Sequence, residues 1–211
     1  DPEDPFSDIQ KSESKPLQIS REDIPANQTT EASAIYNLDA AAATDPNDKS
    51  KQEATLLGEF DDESTEYSFN YNFSNSFTVY DSFGNDHVLT QYFNKDDVTS
   101  ERWTVKYALD GVRPSGSGIS YQVNFDSNGQ LVDPAPGDTK TLEFDPGLAG
   151  DPYNLGNAEK LTIELDLEGT TQFSSASTQN SLSQNGYTSG SLAGIEVLND
   201  GTVQRNFTNG E

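Results

Sequence analysis

Apolar and polar residues alternate through most of this chain, and the period is two. Tyr67, Phe69, Tyr71 and Phe73 are separated by Ser68, Asn70 and Asn72. Successive side chains of a β-strand point to opposite faces, so this spacing predicts a half-buried strand. The pattern recurs at Trp103, Val105, Tyr107 and Leu109, at Ile119, Tyr121, Val123 and Phe125, and at Leu161, Ile163, Leu165 and Leu167. Phe77, Val79 and Tyr80 lead into Asp81-Ser-Phe-Gly-Asn-Asp86, and Val88, Leu89, Tyr92 and Phe93 return. That is a hairpin with a Gly84-Asn85 turn. Asp110-Gly111, Asp126 to Gly129 and Asn199-Asp200-Gly201 punctuate the other strands. Gly and Asn accept the positive φ that tight turns require. Leu192, Ile195 and Val197 before the last of these turns, with Val203 and Phe207 after it, predict a second hairpin, and Asn209-Gly210 offers one more turn.

The remainder is less periodic. Residues 1–30 carry Pro2, Pro5, Pro16 and Pro25 and read as an extended lead with one short strand near Leu17-Gln-Ile19. Ala40 to Lys51 reads as a short helix or a loop. Leu131-Val132 starts a strand, Leu142 and Phe144 form another, and Pro134 to Gly137 and Pro146 to Gly156 are loops. Thr171 to Asn185 is rich in Ser, Thr, Gln and Asn, with Phe173 as its one large anchor. No stretch sustains a 3.6-residue period, and no repeat of fixed length occurs. Many short strands with turn signals between them predict an all-β barrel or sandwich.

Composition adjusts this picture. The chain has 211 residues, enough for one large β domain or two smaller ones. Only 32% are hydrophobic, so the core is thin, but 10% are aromatic, which disordered chains seldom are. The formal net charge is −24. Such a surface repels nucleic acid and anionic membranes, and it suits salty water, where counterions screen repulsion beyond roughly 10 Å. The absence of Cys excludes disulfides and thiolate metal sites, and the absence of Met is what a processed or excised fragment would show. No apolar run is long enough to span a bilayer, and no charged segment precedes an apolar one as in a signal peptide.

Candidate chemistry is sparse. His87, the single histidine, flanks a turn and reads as a polar strand position rather than a general base. Asp61-Asp62-Glu63 with Glu66 reads as a solvated loop rather than a cation site. Asp126-Ser-Asn-Gly129 with Asp133 has the Gly at the wrong offset for a calcium loop and no closing Glu, so it reads as a hairpin turn. Trp103 reads as core, with a sugar-stacking platform as the sharper alternative. Asn206-Phe-Thr208 matches the N-glycosylation pattern and reads as coincidence. No catalytic, metal-binding or cofactor-binding residue is assigned, and an acidic hydrolase lacks a defensible nucleophile or carboxylate pair.

Four segments taken together resemble the bacterial flagellar hook proteins. They are Phe77-Thr-Val-Tyr-Asp-Ser-Phe-Gly-Asn-Asp-His87 with Tyr92-Phe93, Trp103-Thr-Val-Lys-Tyr-Ala-Leu-Asp-Gly111, Leu161 to Phe173, and Asn185-Gly-Tyr187 to Gly210. The resemblance covers most of the chain from about Asn37 onward and rests on the order of the motifs, while Asp1 to Ser14 match nothing. It implies a barrel- or sandwich-like outer domain, residues 31–173, inserted into a smaller discontinuous β domain, residues 1–30 and 174–211, with the family's terminal helical segments lying outside this sequence. It further implies a structural, non-enzymatic subunit that self-assembles into a curved tube, a universal joint carrying motor torque to the filament. Its partners would be copies of itself and flagellar rod, cap and junction proteins, with no nucleic acid and no membrane, and the fragment alone would be monomeric. Its place would be extracellular, in the hook, with export that needs no cleaved signal peptide. The competing expectation is a secreted or surface β-sandwich binding module, an adhesin or a carbohydrate-binding domain.

Overall fold

The structure, a computed structural model, describes residues 18–57, 66–96, 101–114, 120–146, 153 and 155–211. Fourteen strands and no helix lie among them. In chain order they are β1 (Glu31–Asp39), β2 (Gln52–Leu56), β3 (Tyr67–Tyr71), β4 (Phe73–Tyr80), β5 (Asp86–Lys95), β6 (Arg102–Leu109) and β7 (Ser120–Phe125). The others are β8 (Leu131–Asp133), β9 (Thr139–Phe144), β10 (Leu161–Asp166), β11 (Thr171–Phe173), β12 (Thr178–Gln184), β13 (Leu192–Val197) and β14 (Val203–Phe207). The all-β class expected from the alternation is the class observed.

Two five-stranded sheets form the body. One is an antiparallel meander in the order β4-β5-β6-β7-β8. The other is mixed: β1 pairs in parallel with β10 and then with β11, antiparallel with β12, and β10 pairs antiparallel with β9. Strands β10 and β11 run along the same partner one after the other, from Glu31↔Glu164 to Asp39↔Phe173. They act as one long strand that bulges at 167–170, where Thr170 Oγ1 accepts the amide of Tyr36 at 3.2 Å. The inward faces of the two sheets meet in one core that includes Tyr36, Leu38, Phe93, Trp103, Tyr107, Phe144, Ile163 and Leu165. Ring contacts knit it across the sheets, Tyr36 to Phe93 at 4.9 Å and Tyr107 to Phe144 at 5.8 Å between centroids.

Two small ribbons flank the body, β2-β3 and β13-β14. The aromatic alternation at 67–73, which reads as one strand, is divided between two sheets at Asn72. Its amide donates to Phe93 O at 2.8 Å, its side-chain carbonyl accepts the amide of Lys95 at 2.8 Å, and its side-chain amide reaches Ala43 O at 2.9 Å. The clamp leaves β3 on β2 and β4 on β5.

Several expectations meet corrections. Gln18 and Ile19 are not in a strand, and Leu17 lies outside the described residues. The lead attaches later, through isolated bridges Ile24↔Gly190 and Asn27↔Tyr187 on either side of Pro25, whose missing N–H prevents a continuous ladder. Of the two readings of Ala40 to Lys51, helix or loop, the loop is the one observed. Asp39, Asp45 and Asp48 each accept the amide two residues on at 2.8 Å, local bonds that compete with a helix. Phe173 is not an interior anchor. It is largely exposed, and the turn at Gly129 rests against its ring. The expected strand start at Ile119, the carboxylates Asp61, Asp62 and Glu63, and residues 1–17 lie outside the described residues.

Candidate assembly surface

Most of the described residues singled out for chemistry are turned inward or bonded to neighbours. Strand β5 shows why. Its period-2 register sends His87, Leu89, Gln91, Phe93 and Lys95 to the buried side and Val88 and Tyr92 to the other. His87 is only 4% exposed. Its Nδ1 stands 2.7 Å from Asp110 Oδ2 and its Nε2 3.6 Å from Asp81 Oδ2. Asp110, at φ 51, also accepts the amide of Val88 at 2.8 Å. Asp81 is wholly buried, and burial alone would raise its carboxyl. The side-chain and backbone donors of Asn85, the amide of Phe83 and the adjacent imidazole outweigh burial and hold it below the usual carboxylate range. The cluster fastens the β4-β5 turn to the end of β6, and it presents no face to a substrate.

The other candidates resolve similarly. Asp126 accepts the amides of Asn128 and Gln130 at 2.9 Å, which holds its carboxyl low and closes the β7-β8 turn around Gly129 at φ 75. Asp133 accepts from Asn124 at 2.9 Å and pairs with Lys140 at 3.4 Å. Trp103 is fully buried and donates to Gln172 Oε1 at 2.6 Å, so it offers no stacking platform. Glu66 is exposed, and Asn206 is half-buried on β14. An open groove of about 600 Å³ runs across β1, β9, β10 and β12. Of the three carboxylates that line it, Glu164 accepts the hydroxyls of Thr139 at 2.5 Å and Thr141 at 2.9 Å, Asp166 accepts the amide of Glu168 at 2.8 Å, and Glu31 is exposed.

Alternation alone misses the buried polar row. Lys95, 2% exposed, donates to Ala40 O and lies 5.9 Å from the Trp103 ring centre. Burial lowers its pKa, against the opposing pull of Asp39 and Glu101. Gln91 receives the Tyr121 hydroxyl at 3.2 Å and the Tyr36 hydroxyl at 3.5 Å. Burial pushes Tyr36 up to about 12, with the Asn75 hydrogen bond opposing. The signal was present: these positions share the parity of Leu89 and Phe93.

What faces outward is a polar surface with few apolar points. Phe83, 63% exposed, tips the β4-β5 turn, and Val197, 66% exposed, ends β13. The Phe83 turn is rigid. Asp81 holds its amides, and a side chain at Gly84 would meet Ala26 Cβ at 2.6 Å and Thr188 Cα at 3.2 Å. The turn therefore seats the meander sheet on the ribbon made by the lead and residues 187–190.

Comparison with known proteins agrees in kind. Residues 37–187 match the family profile described as the flagellar basal body protein FlaE D2 domain. The chain is similar to flagellar hook protein FlgE of Escherichia coli (strain K12), 31% identical over 141 residues that cover 66% of this chain and 32% of the relative. It is similar to flagellar hook protein FlgE of Salmonella typhimurium, 30% identical over 198 residues that cover 92% of this chain and 42% of the relative. The chain thus spans roughly a third to two-fifths of these curated relatives. Among solved structures, the fold resembles the crystal structure of Helicobacter pylori flagellar hook protein FlgE2, with a TM-score of 0.56 at 13% identity, over 93% of this chain and 67% of that one.

Proposed function

We propose a mechanical role that proceeds from one fact: the chain belongs to the flagellar FlaE D2-domain family, to which hook proteins belong. The protein is a structural subunit of the flagellar hook and not an enzyme. Copies assemble into a short curved tube that works as a universal joint between motor and filament. Residues 31–173 form the outer domain, inserted between inner segments 1–30 and 174–211. Strand β12, though it falls in the second inner segment, is hydrogen-bonded along β1. The tube lies outside the cell, reached without a cleaved signal peptide, and meets rod, cap and junction proteins at its ends. The isolated chain is monomeric.

The observation that carries this reading is the family match over residues 37–187. Physical chemistry makes it workable. A bent tube lengthens and shortens each row of subunits once per turn, so subunits must be stiff and their contacts slidable. Two sheets sharing one aromatic core supply stiffness. Wet polar contacts re-form at small cost, whereas a large apolar interface would lock. The test is electron microscopy of cells lacking the gene for the full-length protein. Loss of the hook and of motility is expected, and motile cells with normal curved joints would end this reading.

A further inference from the structure

We propose that a second copy of this chain docks along the uncharged flank formed by the edge strands β4 and β12. The inference rests on the hook reading and identifies the contact surface that reading requires. Charge distribution comes first. The chain carries a net charge of −24, yet no Asp, Glu, Lys or Arg occurs from Gly169 to Ile195 or from Tyr67 to Tyr80. Two such chains repel wherever carboxylates meet at contact distance, inside the roughly 10 Å over which salt screens. They approach most readily where carboxylates are fewest, and the nearest to β12 are Glu31, Glu164 and Asp166, which share a groove with Ser183 and Gln184 at its C-terminal end and leave Thr178 to Ser181 clear.

The fold brings the two uncharged runs together as open edges. Strand β4 ends the meander sheet, and β12 lies beyond β1 in the mixed sheet. Among the described residues no strand pairs with the outer side of either. Thr29 joins the two edges at one end. Its amide donates to Tyr80 O at 2.9 Å, and its hydroxyl accepts the Tyr80 amide at 2.9 Å and reaches Gln184 Oε1 at 2.9 Å. The edges therefore share one flank.

The remaining two edges are guarded and these are not. Soluble proteins blunt sheet edges with charge, Pro or very short strands, because bare N–H and C=O groups recruit another chain. Strand β9 carries Lys140 and Glu143, engaged with Asp133 at 3.4 Å and with Lys160 at 3.0 Å. Strand β8 has three residues and stops at Pro134. Strands β4, with eight residues, and β12, with seven, have neither charge nor Pro.

The chemistry of β12 also fits a contact that must slip. Thr178, Asn180, Ser181 and Ser183 are exposed, and only Leu182 leans on the core. Register is weakly specified when both faces of a strand are polar. A two-residue slip, about 6.6–6.8 Å, preserves which face each side chain takes. A neighbour seated there can change register and keep its hydrogen bonds.

The chain holds no cysteine, so an introduced one adds no competing thiol within it. Ser181→Cys on β12 and Gln122→Cys on the exposed side of β7 are placed separately in the full-length protein and labelled with benzophenone maleimide in isolated hooks. On photolysis, the label at 181 should yield covalent pairs of this chain several-fold more often than the label at 122. In parallel, S181D/S183D should reduce assembly with an unchanged melting temperature, and S120D/Q122D, which adds the same charge elsewhere, should not. Hooks that contain the chain but give equal or no pairing from 181 overturn the flank and leave the hook role standing. So does assembly indifferent to S181D/S183D. Hooks from which the chain is absent overturn the role and the flank together.

Discussion

Gly84→Ala tests whether the meander sheet is pressed onto the ribbon beside it. The residue sits at φ 82, and an added Cβ would lie 2.6 Å from Ala26 Cβ and 3.2 Å from Thr188 Cα. Two costs combine. The left-handed backbone charges an L-residue about 1–2 kcal/mol. Overpacking against backbone and a short side chain adds roughly 1–3 kcal/mol, because neither neighbour can swing aside. Gly111→Ala isolates the first cost. It lies at φ 81 at the end of β6 in the same sheet, and nothing stands within 4 Å of its added Cβ. The expected losses are about 2–5 kcal/mol for Gly84→Ala and about 1–2 kcal/mol for Gly111→Ala. At roughly 2–4 °C per kcal/mol for a chain of this size, the two melting temperatures separate by several degrees. Hydrogen exchange adds a local reading: the amides of Asn27 and Tyr187, bonded to each other's carbonyls at 2.9 Å, should exchange faster only in Gly84→Ala. Equal losses for the two variants, with unchanged exchange at Asn27 and Tyr187, would refute the docking of turn on ribbon.

Four further outcomes are expected. Gln172→Leu removes the acceptor of the buried Trp103 indole, costs about 1–3 kcal/mol in urea unfolding, and shifts the emission of this single tryptophan. Tyr36 and Tyr107 are each raised to about 12 by burial, so they favour the folded state fully below the ordinary tyrosine value near 10. That preference is lost as pH rises from about 10 to about 12, and the part of the phenolate absorbance that Tyr36→Phe and Tyr107→Phe remove should appear together with unfolding and not before it. Asp81 is held low, so the stability it contributes is present above its unfolded value near 3.9 and disappears as pH falls through its folded value. Asp81→Asn should therefore be less stable than the parent at neutral pH and indistinguishable in acid, and a gap that persists unchanged at pH 2 would contradict this. Raising salt from about 0.1 M to about 1 M shortens screening from roughly 10 Å to 3 Å and should raise the melting temperature of a chain at −24. A fall would mean that self-repulsion is not what salt relieves.

Much of this architecture is readable from residue order, and its failures have physical causes. Strands at 102–109, 120–125 and 161–166 are visible because one face is buried and the other wet, which writes apolar residues at every second place. The turns at 110–111, 126–129 and 199–201 are visible because their glycines take positive φ. The break at Asn72 is not visible, since it depends on partners as distant as Lys95 and Phe93. Strand β12 is not visible either. Its Ser, Thr, Gln and Asn residues are a strand only because β1 supplies a ladder from Ala32↔Gln184 to Asn37↔Thr178. Phe173 misleads because size suggests an anchor, whereas the chain around it is held by Asn37 Oδ1 accepting the Phe173 amide and the Thr171 hydroxyl, both at 3.1 Å. A surface for self-contact has no motif, so only the fold reveals that two uncharged runs, far apart in sequence, become neighbouring edges.

The buried polar row on β5 bears on why such a subunit is stiff. In a chain that is only 32% hydrophobic, a thin core packs one way only if something penalises the alternatives. Apolar contacts alone do this poorly, because similar volumes exchange at small cost. Gln91, Lys95 and His87 do it well. Each is nearly inaccessible to solvent, and each finds its partner in another element: Gln91 in Tyr36 and Tyr121, Lys95 in Ala40 O, His87 in Asp110. A shift of one sheet over the other would break the bonds of Gln91 to Tyr36 and of Lys95 to Ala40 O, a cost of about 1–3 kcal/mol for each and more where charge is involved, while His87 with Asp110 and Gln91 with Tyr121 fix neighbouring strands within the meander sheet. Stiffness inside the body and yielding contacts outside it thus have separate chemical origins. Buried polar groups with fixed partners resist sliding between the sheets, and exposed Ser, Thr and Asn on an open edge permit it between subunits.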